Sequence, residues 1–137
     1  IAGADLEANY TYFRLYQTGD VLKRHRDRPS CEISITLCLG YNVSNVDQTQ
    51  YPNYNWPMWI QDKGGNELPV SLDPGDLILY RGCELDHWRE EFLGLNHAQV
   101  FMHYNDKNGP FPNKWDGRDQ LSIPKKFQTW RTIDDIR

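Results

Sequence analysis

The feature that most constrains this chain is its near absence of helical periodicity. Short apolar or alternating runs are separated by clusters of Gly, Pro, Asn and Asp, at the intervals typical of β sandwiches and barrels. Candidate strands are Tyr10 to Tyr16, Val21 to His25, Glu32 to Leu39, Met58 to Gln61, Leu68 to Leu72, Leu77 to Tyr80, His87 to Arg89 and Ala98 to Tyr104. Turn chemistry separates them at Thr18-Gly19-Asp20, Lys63-Gly64-Gly65-Asn66, Asp73-Pro74-Gly75-Asp76 and Gly94-Leu95-Asn96. The chain therefore reads as all-β with little helix. Its 137 residues fit one domain, 1–137, with a core over about 10–104 and an irregular C-terminal tail over 105–137. Within that tail, Lys125 to Arg137 reads as one turn of helix or as an extended segment. The stretch Tyr41 to Pro57, rich in Asn, Gln and Tyr, reads as a long loop over one mouth of the fold, where binding function tends to sit.

Composition narrows the classes of function. A formal charge of -4, from 19 acidic and 15 basic residues spread along the chain, implies no basic face and disfavours a nucleic-acid partner. Cys31, Cys38 and Cys83 form neither a CxxC pair nor a regular framework, so they read as reduced thiols in a cytoplasmic protein. No apolar run approaches the roughly 20 residues of a membrane span, so no membrane partner is expected. The first residue is Ile1 and not Met, which leaves the expectation that the chain is trimmed or excised from something longer. Oligomeric state leaves no mark in the sequence.

The chemistry concentrates in His25-Arg26-Asp27. Residues two apart on a strand project from one face, so one imidazole and one carboxylate can converge on a point. A third ligand must come from elsewhere, and His87 follows the sharply marked strand Asp76 to Tyr80 after a short polar connection. Two neutral imidazoles and a carboxylate on one side of an ion, with the other positions open, form the facial triad used for non-haem Fe(II).

The stretch from Tyr16-Gln17-Thr18-Gly19 to His25-Arg26-Asp27 resembles the Tyr, Gly, then His-x-Asp signature of Fe(II)/2-oxoglutarate dioxygenases of the prolyl-hydroxylase type. Leu72-Asp73-Pro74-Gly75-Asp76-Leu77-Ile78-Leu79-Tyr80, followed by His87, is similar to that family's Pro-x-x-Gly-x-hydrophobic run before the distal His, although here Pro74 and Gly75 are adjacent. The resemblance covers roughly Tyr10 to Tyr104. It implies a double-stranded β-helix of the jelly-roll or cupin kind, Fe(II) and 2-oxoglutarate as cofactors, and hydroxylation of an amino-acid, peptide or small-molecule substrate. It also implies that Tyr16 offers its hydroxyl to 2-oxoglutarate. Ser34 and Thr36 alternate along the next strand and read equally as lining the same wall or as ordinary cross-strand polar pairs.

One departure stands out. In the prolyl-hydroxylase type, the strand after the distal His supplies an Arg or Lys for the distal carboxylate of 2-oxoglutarate, because a buried carboxylate without a cation is costly. This chain has His97-Ala98-Gln99-Val100-Phe101-Met102-His103 there, with Gln99 nearest the expected position. Arg81, Arg89 and Arg28 are the candidate replacements, with Arg81 favoured; the alternatives are a smaller acid held by Gln99 and His97, or a cosubstrate other than 2-oxoglutarate. A catalytically inactive binding module and a cupin-like metalloenzyme that does not use 2-oxoglutarate both remain compatible with the same triad. His97 and His103 read as hydrogen-bonded structural residues, and Trp88 as a packing ring. Tyr51, Tyr54, Trp56 and Trp59 are equally a substrate wall or aromatic pins for the long loop.

Overall fold

The computed structural model describes residues 2–111; the expected C-terminal turn at Lys125 to Arg137 lies outside them. Eight strands are present among the described residues: β1 (Leu6–Gln17), β2 (Leu22–His25), β3 (Ile33–Asn42), β4 (Met58–Gln61), β5 (Glu67–Val70), β6 (Leu77–Arg81), β7 (His87–Arg89) and β8 (Asn96–Asp106). A single 3-10 turn, Pro29–Cys31, joins β2 to β3. The outer strands run further than the sequence suggested, so the ordered β core extends on both sides of residues 10–104.

Two four-stranded sheets form, one in the order β1-β8-β3-β6 and the other β2-β7-β4-β5. Every pairing is antiparallel. Consecutive strands thus alternate between sheets for most of the chain, which winds the backbone into a double-stranded β-helix. Gly19 and Gly75 take the left-handed turn conformation at φ +88 and +97 that the turn motifs around them require. The fold class expected from the sequence is the one observed.

The way the first sheet buries its residues decides where chemistry can occur. On β8 the inward face carries His97, Gln99, Phe101, His103 and Asn105, all buried, while Ala98, Val100 and Met102 face out. On β3 the buried inward set is Ser34, Thr36 and Cys38, and the alternate positions are Ile35, Leu37 and Leu39. The register pairs Ser34 with His103 and Thr36 with Phe101. This sheet is therefore largely polar on the side facing the second sheet. Burying so many polar groups is unfavourable unless they are bonded or have a task.

Candidate metal centre and the buried polar cluster beside it

β2 ends at His25, β7 begins at His87, and the register sets these two residues opposite one another. Their ring centroids lie 4.3 Å apart. Asp27 follows on the turn into the 3-10 segment, where its backbone N–H donates to the carbonyl of Gly82 at 2.8 Å. Ligand atoms of His25, Asp27 and His87 all lie within 4.8 Å of one another. The Nε2 atoms of His25 and His87 are 3.5 and 3.6 Å from the same oxygen, Asp27 Oδ1.

Each imidazole is oriented by the backbone carbonyl two residues before it. Nδ1 of His25 bonds the Lys23 carbonyl at 2.7 Å, and Nδ1 of His87 bonds the Leu85 carbonyl at 3.0 Å. A carbonyl can only accept, so Nδ1 carries the proton and Nε2 presents its lone pair. The second oxygen of Asp27 is also engaged: Ser34 Oγ donates to Oδ2 at 2.8 Å and in turn takes a bond from Nδ1 of buried His103 at 3.0 Å. Two lone pairs and a carboxylate oxygen thus face one another, an arrangement that requires a proton or a cation between them. Burial opposes ionisation of Asp27, yet the neighbouring His25, His87 and Ser34 outweigh it and hold the carboxyl well below the usual range. The hydrogen bond to Asp27 raises His25. The donor set, the fixed tautomers and the shared focus fit a divalent cation of the kind bound by two imidazoles and one carboxylate.

Gly82, which the sequence reading missed, makes room for this arrangement. A Cβ there would lie 2.2 Å from Asp27 Oδ2 and 2.6 Å from the Cys31 carbonyl. A glycine directly after strand β6, in Arg81-Gly82-Cys83, was the available signal.

His25 and Asp27 line a cleft of about 580 Å³, whose walls include Tyr10, Tyr12, Arg14 and His103. Arg89 lies two residues beyond His87 on β7 and Thr36 two beyond Ser34 on β3, about 6.6 Å at the usual strand rise, and with His97 and Gln99 of β8 they make up a second set of polar residues that is closed off. Thr36, Arg89, His97 and Gln99 are each no more than 2% exposed. Among the described residues, Thr36 Oγ1, Arg89 Nη2, both ring nitrogens of His97 and both amide atoms of Gln99 have no hydrogen-bond partner. Burial pushes the Arg89 guanidinium down to about 10. Burial, with Arg89 adding to it, pushes His97 down to about 4, so its ring is neutral near pH 7.

Arg89 is held from one side only. It donates to the Trp56 carbonyl and lies 4.6 Å from the centre of the Trp56 ring. Trp56 itself takes a left-handed backbone at φ +56, a conformation a bulky residue adopts at a cost. Its indole N–H donates to the Glu90 carbonyl at 2.8 Å, and its ring packs edge-on to Tyr16, 4.8 Å between centroids. The long loop therefore contributes a strained aromatic that positions the buried cation.

The structure buries Tyr16, Thr36 and Gln99 in the interior, as it does Arg89, but not Arg81. Arg81 shares the outward face of β6 with Leu77 and Leu79, is 44% exposed at the side chain, and reaches Glu84 at 3.4 Å. The expected role of Arg81 therefore falls away, because strand alternation turns it from the site and turns Arg89, two residues from His87, toward it. Arg28 instead bonds the Tyr10 hydroxyl and Ser30. Among the described residues, neither His97 nor His103 joins a cluster of metal-binding side chains. Trp88 stacks on Trp59 at 6.2 Å, and Tyr54 packs beside Phe92, which makes them packing rings. The three cysteines are free thiols. No helix of the described residues is long and apolar enough to cross a membrane.

No family model matches the chain, and no curated protein matches it. Solved structures do. A 2OG-Fe(II) oxygenase family oxidoreductase from Burkholderia pseudomallei superposes with a TM-score of 0.61 at 14% identity, over 80% of this chain and 49% of that one. The fold is that of the 2OG-Fe(II) oxygenases. A prolyl-4-hydroxylase from Pseudomonas putida matches with a TM-score of 0.54 at 21% identity, over 74% of this chain and 52% of its own. The non-heme monooxygenase ThoJ, in a nickel complex, matches with a TM-score of 0.56 at 14% identity, over 77% and 46%. The chain spans about half the length of each of these oxygenases. At such identities the likeness is one of architecture, and the chemistry has to be argued from this chain's own residues.

Proposed function

We propose that this chain is a non-haem Fe(II)- and 2-oxoglutarate-dependent oxygenase that hydroxylates an amino-acid, peptide or small-molecule substrate. The observation that carries the reading is the meeting of two Nε2 lone pairs and Asp27 Oδ1 at one point, with each ring locked by a backbone carbonyl. His25, Asp27 and His87 would hold the metal. When bound, the iron supplies oxygen activation coupled to oxidative decarboxylation of the cosubstrate.

The protein's own part is binding and orientation. Arg89 is a buried cation with a free guanidinium nitrogen and no carboxylate partner among the described residues, a state that is costly unless an anion completes it. It would pair with the distal carboxylate of 2-oxoglutarate, in place of the Arg or Lys that the family resemblance leads one to expect on β8. Gln99 and Thr36, also without a hydrogen-bond partner among the described residues, would donate to the same group. Burial raises the Tyr16 phenol, so its hydroxyl stays protonated and able to donate. Satisfying these atoms together offsets the cost of burying them.

The test is a thermal-shift matrix of Fe(II), Mn(II) and Zn(II) against 2-oxoglutarate under anaerobic conditions, since ligands of the native state raise its melting temperature. The expected result is a shift with metal and a further shift with 2-oxoglutarate that requires the metal. A metal shift with no response to 2-oxoglutarate would instead mark a metalloenzyme using a different acid. No response to any metal would leave a binding module.

A further inference from the structure

Among the described residues, the arginines around the mouth of the cleft divide into those bonded to a carboxylate or hydroxyl and one that is not. Arg26 Nε reaches Asp86 at 2.5 Å, and Arg24 reaches Glu67 at 2.6 Å and Asp86 at 3.3 Å. Arg28 bonds the Tyr10 hydroxyl at 2.7 Å and Ser30 Oγ at 2.9 Å. Arg14 has no carboxylate partner among the described residues. It belongs to the inward face of β1, paired in register with Gln99, and it lines the same cleft as His25 and Asp27. Its guanidinium lies 4.2 Å above the ring of Tyr16.

A guanidinium laid over an aromatic face is held in one plane while its N–H edge stays available, the geometry that takes a carboxylate with two parallel bonds. Next to it, Tyr12 is 37% exposed and stacked on Phe101 at 4.9 Å and His103 at 5.8 Å, a flat and mostly apolar wall. Among the described residues, the one carboxylate lining the cleft is Asp27, which faces the two imidazoles. A metal dication beside Asp27 would leave the field at the mouth positive, which draws anions in and repels cations.

We propose that Arg14 anchors a carboxylate carried by the substrate, and that the substrate is a small organic acid whose apolar body lies along Tyr12. The assignment rests on the oxygenase reading above. It separates two acids by depth: the cosubstrate's distal carboxylate goes inward to buried Arg89, and the substrate's carboxylate stays at the exposed edge strand with Arg14.

The experiment uses the full chain loaded with Mn(II) and 2-oxoglutarate. N-acetyl-L-leucine and 3-phenylpropionate, each beside its primary amide, are titrated by thermal shift against wild type and Arg14→Gln. Wild type is expected to bind each acid about tenfold more tightly than its amide, the worth of one charge-assisted pair. In Arg14→Gln that ratio should fall to about one, with 2-oxoglutarate affinity unchanged, and Arg14→Lys should restore part of it. Equal binding of acids and amides by wild type, or an acid preference that survives in Arg14→Gln, overturns the proposal. So does a loss of 2-oxoglutarate binding in Arg14→Gln, which would make Arg14 a cosubstrate contact. A wild type that does not respond to 2-oxoglutarate at all sinks the oxygenase reading separately, and the acid-to-amide ratio then judges Arg14 alone.

Discussion

Two polar groups lie side by side between the sheets, and they are built in opposite ways. At the triad, the atoms that do not face the focal point are satisfied: both Nδ1 atoms by carbonyls, Asp27 Oδ2 by Ser34. In the cluster around Arg89, the side-chain polar atoms of Thr36, His97 and Gln99 have no hydrogen-bond partner among the described residues, and Arg89 Nη2 has none either while Nη1 bonds the Trp56 carbonyl. The first is a set of candidate ligands whose directions the protein has fixed in advance. The second is a set of buried donors and acceptors that, under the proposed function, would be completed by a polar molecule from outside. Preorganised ligands favour a metal, which demands geometry; unsatisfied buried groups favour an acid, which brings its own oxygens.

The largest effects are expected at the triad. Asp27→Ala or His25→Ala should abolish succinate formation from 2-oxoglutarate, and retained turnover in both would refute the assignment of the ligands. Arg89→Met comes next. It should weaken 2-oxoglutarate binding at least about 100-fold, the low end of the roughly 3 kcal/mol lost when a buried charge is left unpaired. Iron affinity, measured by equilibrium dialysis, should be unaltered. A variant that lost both together would erase the distinction between the two groups.

Gly82→Ala should act in the reverse sense. The added Cβ displaces the Asp27 carboxylate, so metal affinity should fall by about 10- to 100-fold, the usual cost of disturbing a supporting contact. The response to 2-oxoglutarate should fall only as far as metal occupancy does. Titration against both ligands checks this.

The smallest effect separates the histidines by pH. His97 is depressed by burial to about 4 from 6.5, so the unfolded chain binds more protons than the folded one between those values. Its contribution to stability is complete above pH 6.5 and is lost as pH falls toward 4. His25 is raised by its bond to Asp27, so its contribution is complete below its unfolded value and is lost as pH rises through the folded one. Melting temperature of the metal-free protein should therefore fall on acidification, and His97→Gln should flatten that fall. A His97→Gln curve parallel to wild type would contradict the depressed value.

Much of this was legible in the sequence where local chemistry decides it. Short runs bounded by Thr18-Gly19-Asp20 and Asp73-Pro74-Gly75-Asp76 mark the strands, because turns of that composition have few other conformations. The spacing of His25 and Asp27 puts both near one point without reference to the rest of the chain. What depended on register was harder. Arg81 and Arg89 look alike as arginines near the ends of strands, and only the pairing of β6 with β3 shows that Arg81 points outward. The alternation His87-Trp88-Arg89 did hold the answer, since residues two apart share a face. Gly82 and Trp56 act through contacts from distant segments, Asp27 in one case and Arg89 in the other, which no local pattern records.

The central claim is that three side chains hold a single metal ion. Anaerobic equilibrium dialysis of Fe(II) against wild type, His25→Ala, Asp27→Ala and His87→Ala, with folding checked by circular dichroism, tests it directly. One iron per wild-type chain, lost in all three folded variants, is the predicted result. A folded variant that keeps its iron at wild-type affinity would contradict it.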